Sequence, residues 1–317
     1  RLPAGAVSRA QFVRARVTEA KTQLAAARPE NPVQLRRYQK SFGTVLQHAM
    51  SIGVPSRDAL SVRSLGVVEG DGFTAERLLL GRKDEGDQLP ALLFKPIPAG
   101  RRKGGGTLVV HEYGKAALMT EGLLGPGPLL RELLTTGQVV LALDPFLTGE
   151  FFAQAGLGQR RNRSANHFTT YNRPDVVEKA QDILTGVAAL RDLATPRTVS
   201  LVGLGEAGLW CLLAVAAEPK AVSRLACDMA QFDGACDAEF IQRLNVPHLR
   251  RAGDLVTAAA MFAPRPLLMS NIGDAFDLGA MRSVYRAAGT PNALTVRKTP
   301  LSPKRLAAWL QELYKRN

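Results

Sequence analysis

The nonapeptide Val202-Gly203-Leu204-Gly205-Glu206-Ala207-Gly208-Leu209-Trp210 constrains the fold more than any other stretch of this chain. A β-branched, apolar run from Thr198 to Val202 leads into it, and an apolar run from Leu209 to Ala217 leaves it. The first has the composition and length of a buried strand, the second those of a buried helix. Glycines at 203, 205 and 208 join the two, so the chain passes from strand to helix within a few residues. The central position of that turn is Gly205, which presents no side chain.

The same alternation extends over most of the sequence. Apolar spacing predicts helices over 8–27 and 32–50, with Gly53, Pro55 and Ser56 breaking the pattern. Strand patterns follow at 61–68, 74–80 and 90–96, separated by Gly70-Asp71-Gly72 and a charged turn at 82–87, as in an antiparallel opening to a sheet. Ala99–Gly106, rich in Gly, Arg and Lys, reads as an exposed loop. Strands at 107–110, 139–144, 198–203, 223–227, 266–270 and 294–297 then alternate with helices at 129–135, 175–193, 209–217, 255–262, 281–288 and 303–314. Such alternation implies a mostly parallel sheet covered on both faces. The expected organisation is a helical arm over residues 1–60 and one α/β domain over 61–317.

Composition narrows the classes further. At 317 residues, 46% hydrophobic and 22% charged, the chain has the make-up of a globular protein with a substantial core. No run reaches the roughly 20 apolar residues of a membrane span. The formal charge is +13, and residues 1–60 carry ten Lys and Arg against Glu19, Glu30 and Asp58. That arm is either a solvated helical face or a surface for an anionic partner. No nucleic-acid-binding motif accompanies it. Three cysteines are too few for a disulfide framework; Cys211 reads as core, while Cys227 and Cys236 flank a loop and are placed either to pair or to remain thiols. The compartment is open, secreted or periplasmic being compatible with these features.

Four segments, in order, resemble the α/β-hydrolase superfamily and within it the acetyl-xylan-esterase-like and dienelactone-hydrolase-like proteins. Thr107–Gly114, containing His111-Glu112-Tyr113-Gly114, is similar to the strand that ends in an oxyanion loop. Leu141–Pro145 with Thr148-Gly149-Glu150 resembles a later strand end, and Thr169–Asp175 with Gln181–Leu184 resembles the segment before the nucleophile turn. Ala263-Pro264-Arg265-Pro266-Leu267-Leu268 resembles a further strand entry. The resemblance covers most of 61–317 and implies the α/β-hydrolase fold. It also implies that 202–210 is the nucleophile elbow, G-x-S-x-G, with Gly205 at the serine position.

The resemblance places the triad acid at Asp274, with Asp277 as fallback, and the base just before the terminal helix. That stretch, Lys298–Ser302, contains no histidine, and none follows His248. A triad needs a nucleophile beside an oriented base, so both proton-handling partners are missing from their expected places. Among the remaining groups, Glu206 and His111 are the candidate catalytic residues besides Asp274. Glu206 would also serve simply as an anion at a helix N-terminus. His48 and His248 read as structural or surface residues. The expected ligand-lining set is His111, Glu112, Tyr113, Gly205, Glu206 and His167. The G-x-G-x-x-G spacing, with Asp228 about 20 residues on, also imitates a dinucleotide fingerprint, but several strands precede it where that motif follows the first. No cofactor and no metal site are expected. Asp228, Asp233 and Asp237 cluster without histidine, as in a solvated loop.

Three functions stand on this reading. The first is an esterase-like protein that has lost Ser-His-Asp catalysis and binds a ligand such as an acidic or acetylated saccharide, by itself or beside another hydrolase domain of the same native chain. The second is an active carboxylic-ester hydrolase on acetylated or methyl-esterified saccharides with unconventional residues. The third is an interaction module that docks on an anionic partner through its basic arm.

Overall fold

The structure, a computed structural model, describes residues 5–97, 105–120, 125–153, 161 and 167–311. The loop expected at 99–106 and the end of the last helix fall largely outside them. Two long helices come first, α1 (Arg9–Ala26) and α2 (Pro32–Met50), then strands β1 (Leu60–Gly70), β2 (Phe73–Arg82), β3 (Leu89–Pro96) and β4 (Gly106–His111). Next are α3 (Pro128–Thr135), β5 (Val139–Leu143), the short α4 (Glu150–Ala153) and α5 (Phe168–Tyr171), α6 (Asp175–Ala194), β6 (Val199–Leu204) and α7 (Ala207–Ala217). The chain continues through β7 (Arg224–Asp228), α8 (Asp237–Glu239), α9 (Asp254–Phe262), β8 (Leu267–Ser270), α10 (Leu278–Ala287), β9 (Leu294–Val296) and α11 (Pro303–Gln311).

All nine strands form one sheet in the order β1-β2-β3-β5-β4-β6-β7-β8-β9. β2 is antiparallel to both β1 and β3, and β3 is antiparallel to β5; every pairing from β5 to β9 is parallel. The period-two alternation of side chains divides the core. Leu108, Val110, Leu141, Leu143, Leu201, Leu225, Leu267 and Met269 pack with α2, α6, α7 and α9 on one face. Their neighbours Val109, Val140, Ala142, Val202, Ala226 and Leu268 pack with α3 and α11 on the other. Both faces are covered, which is why these strands read as nearly unbroken apolar runs.

The two N-terminal helices differ. Asn31 caps α2 by accepting from the Val33 and Gln34 N–H groups, and Pro32 opens it. Leu35, Tyr38, Leu46 and Met50 bury its inner face in the main core, and the Tyr38 hydroxyl meets Thr257 Oγ1 on α9 at 2.6 Å. Helix α1 is closed by a Ser8–Gln11 capping box and buries none of its residues; Phe12, Val13 and Val17 are exposed. Arg28, just beyond it, pairs with Asp277 at 2.7 Å.

At the opposite end, β1 is an edge strand exposed beyond Leu60, with a register shift between Ser64 and Gly66. The thiols of Cys211, Cys227 and Cys236 are all free: Cys227 is enclosed within β7, while Cys236 lies outside the core beyond the Asp233 turn. Among the described residues no helix is long and apolar enough to cross a membrane.

Candidate functional site

The turn between β6 and α7 sits at the carboxyl end of the parallel strands, where open α/β sheets place their ligands. Gly205 occupies it with φ +62°, a left-handed conformation that side chains rarely take. Gly208 lets α7 start against β7: a Cβ there would lie 1.9 Å from the Asp228 carbonyl oxygen. The Gly205 carbonyl accepts the Gly208 N–H at 3.0 Å, closing the first turn of the helix. The backbone of a strand–nucleophile–helix turn is therefore present in full.

What stands over it is a carboxylate. A Cβ on Gly205 would come within 2.2 Å of Glu112 Oε1, so the space for a nucleophilic side chain holds the end of Glu112. Glu112 Oε2 accepts the Glu206 backbone N–H at 3.2 Å. That N–H belongs to the residue after the nucleophile position, where a hydrolase of this architecture stabilises a developing oxyanion. Here it serves a side chain of the same molecule.

The loop carrying Glu112 is fixed from below. Lys115 is buried with its Nζ 2.6 Å from Asp144 Oδ2 and also bonded to the Glu150 carboxylate. Asp144 additionally accepts the N–H groups of Lys115 at 2.6 Å and Glu150 at 3.0 Å. With three donors on that one carboxylate, the segments after β4 and β5 are locked together.

Glu206 leaves its cap position unused and reaches sideways. Its Oε1 accepts from Arg243 Nε at 2.8 Å, and the same guanidinium holds Glu239 at 2.7 Å and the Ala230 carbonyl at 3.1 Å. Arg243 escaped the sequence reading because it projects from a π-helical turn, Phe240–Leu244, that no apolar period signals.

His111, the last residue of β4, accepts the Tyr113 N–H on Nδ1 at 3.1 Å. Burial holds its imidazole below the ordinary range, against the opposing pull of the Glu112 and Asp228 carboxylates. His111, Glu112, Gly205 and Glu206 thus lie together around the β6–α7 turn. Tyr113 neighbours them with its ring 5.5 Å from that of His111 but is 72% exposed. His167 is exposed at the start of α5 and enters none of the hydrogen bonds around Gly205 among the described residues.

The expected acid lies apart. Asp274 has a side chain 99% exposed and accepts from Lys298 Nζ at 2.5 Å. The lysine, through this hydrogen bond and its charge, holds the carboxyl below its usual range. A lysine–aspartate pair therefore stands where the resemblance calls for histidine and acid. Asp277, the fallback, caps α10 through the Ala280 N–H at 2.9 Å. Asp228 is also structural, accepting from the Ala230 N–H and Asn271 Nδ2 at 2.8 Å each. Among the described residues, no group of three or more His, Cys, Asp or Glu is placed to hold a metal ion.

Chemically, the turn offers a carboxylate over a helix N-terminus and an imidazole depleted of charge; among the described residues no serine or cysteine stands on it for attack.

No family model matches the chain, and no curated protein matches it in sequence. Solved structures do match in fold. A protein described as a candidate acetyl xylan esterase of Bacteroides fragilis superposes with a TM-score of 0.65 at 13% identity, over 87% of this chain and 80% of that one. A promiscuous esterase from a marine bacterial metagenome gives 0.61 at 11% identity, over 85% and 89%. A glucuronoyl esterase from Solibacter usitatus gives 0.54 at 12% identity, over 85% and 90%. Strand order, the left-handed turn after β6 and these likenesses together give the chain the α/β-hydrolase fold.

Proposed function

We propose that this chain is an esterase-like α/β-hydrolase fold that binds through its former active-site cleft without hydrolysing. The observation that carries the reading is the Glu112 carboxylate, which fills the nucleophile's place over Gly205 and takes the Glu206 N–H. An anion fixed there opposes the negative charge that ester hydrolysis must develop. The Asp274–Lys298 pair supports it, because an ammonium engaged with an exposed carboxylate is no substitute for an imidazole base. The ligand class suggested by the fold neighbours is an acidic or acetylated saccharide. A second hydrolase domain of the same native chain would supply the catalysis that this one lacks.

The test is turnover of p-nitrophenyl acetate and of acetylated xylo-oligosaccharides, with calorimetry of the same sugars. The expected rate equals buffer, and Gly205→Ser, alone or with Glu112→Ala, leaves it there because Lys298–Ser302, where the resemblance calls for the base, holds no histidine. Turnover that disappears in His111→Ala or Glu206→Gln would establish an unconventional hydrolase instead. Absence of heat with every sugar would remove the saccharide from the reading.

A second reading is favoured by α2, whose outer face carries Arg36, Arg37 and Lys40, all exposed, on a helix without an acidic residue. It makes the arm a docking surface for an anionic partner. Deleting residues 1–60 would remove core side chains of α2, so the informative variant is Arg36→Ala/Arg37→Ala/Lys40→Ala. Retention on heparin or pectin that survives this variant would exclude the arm.

A further inference from the structure

On the flank beyond Asp274 and Lys298, a groove of 480 Å³ runs between α10 and the free edge of β9. Arg282, Arg286 and Arg297 line it together with Asn292, Thr295 and Val296, and no Asp or Glu does. Arg282 and Arg286 are four residues apart on α10, hence on one helix face. Arg297 leaves the end of β9 toward the same space. The hydrogen bonds of Arg286 and Arg297 go to neutral oxygens of their own segments, Ser283 Oγ at 3.1 Å and the Val296 carbonyl at 2.9 Å. These bonds orient two guanidiniums without neutralising them.

The remaining lining adds donors. The Arg297 N–H bonds the Met269 carbonyl at 2.9 Å, which fixes the alternation of the parallel ladder. Val296 therefore turns its own N–H outward, away from β8. Three forked cations, an amide and an outward backbone N–H thus border the groove, with no Asp or Glu in its lining. Like charges brought together around a concavity repel until an anion joins them. Planar guanidiniums match tetrahedral oxyanions through paired N–H donors, and three of them suit a group of more than one negative charge better than a single carboxylate.

We propose that this groove is a phosphate-binding site, for inorganic phosphate species or for a phosphoryl group carried on a small molecule. It is separate from the Gly205 turn and does not depend on how that turn is read. The probes are inorganic pyrophosphate, glucose 6-phosphate and, as a singly charged comparison per sugar, tri-galacturonate, titrated calorimetrically into the full chain at low salt. Both phosphate probes should bind more tightly than the galacturonate. Arg282→Ala and Arg286→Ala should each weaken them about tenfold, the scale of one lost charged hydrogen bond. The unfolding midpoint should stay unchanged, since both side chains are exposed. Arg36→Ala/Arg37→Ala/Lys40→Ala should leave the titration as it is. Tighter binding of pyrophosphate assigns the groove to free inorganic species, and tighter binding of the sugar ester assigns it to a phosphorylated metabolite. The proposal fails if neither phosphate produces heat, if galacturonate binds best, if the Arg282→Ala/Arg286→Ala double variant binds like the parent, or if only the arm variant loses binding.

Discussion

Two lysine–aspartate pairs of nearly the same length lie at the carboxyl end of this sheet, and they play opposite parts. Lys115 and Asp144 are 2.6 Å apart with side chains 8% and 1% exposed; Lys298 and Asp274 are 2.5 Å apart with side chains 58% and 99% exposed. Around the first, two backbone N–H groups and Glu150 complete the hydrogen bonding, so the pair is specified by its surroundings. Around the second, water competes for both partners. The difference separates a pair specified by its surroundings from one left to solvent. Lys115 and Asp144 fix the base of the loop that carries Glu112, while Lys298 and Asp274 form an ordinary surface ion pair.

That contrast can be broken most directly at the buried pair. Asp144→Ala leaves an ammonium in the interior beside Glu150 alone and removes the acceptor of two N–H groups. A loss of about 3–5 kcal/mol in chemical denaturation is expected. A loss no larger than that of a surface variant would mean that burial does not specify the pair.

Asp182 sharpens the comparison, because it is a buried carboxylate held by a backbone N–H, that of Phe146 at 2.7 Å, with no lysine bonded to it. Burial raises its pKa to about 8; the Phe146 N–H opposes this, the Asp87 and Glu178 charges add to it, and Arg82 opposes it. The unfolded chain loses that proton near pH 4, whereas the folded chain keeps it until about pH 8. This residue's contribution is therefore full below about pH 4 and declines as pH rises to about 8, by at most ~1.4 kcal/mol per pH unit. Asp182→Asn should flatten stability across that window in urea titrations at stepped pH. An unchanged slope would show that the group is already ionised in the folded state.

The smallest effect is expected at the exposed pair. Asp274→Asn and Lys298→Ala should leave the unfolding midpoint where it is, at low salt and at high salt alike. A clear drop at low salt would mean that the pair still organises the ends of β8 and β9.

The sequence reading and the structure meet where one local rule suffices. The parallel strands were legible because apolar runs of strand length alternate with helical periods, and Gly205 was legible because its neighbours set the turn around it. His111, Glu112 and Glu206 could be assigned to one turn only through the resemblance of 107–114 and 202–210 to hydrolase segments. What Glu112 does there could not, since its carboxylate meets the Glu206 N–H across 94 positions of chain. Arg243 was hidden for a related reason: its turn has no apolar period, and its partners Glu206, Glu239 and Ala230 are assembled by the fold. The position of Asp274 was readable by resemblance, but its exposure depends on how the loops after β8 and β9 leave the sheet. Apolar spacing over 8–27 foretold a helix without revealing that α1 would bury nothing, because periodicity reports a face and not its occupant.

The rim of the sheet at β1 carries a hazard of another kind. Val62, Leu65, Val67 and Val68 are exposed along a strand with one side open to solvent, the pattern that recruits a passing chain into fibrillar stacking. The irregularity at Ser64–Gly66 bends that border, and Arg63 and Glu69 set charges on either side of it. No straight apolar template longer than a few residues is left for a newcomer. The kink in the outermost strand and the charges beside it together oppose the addition of a further chain.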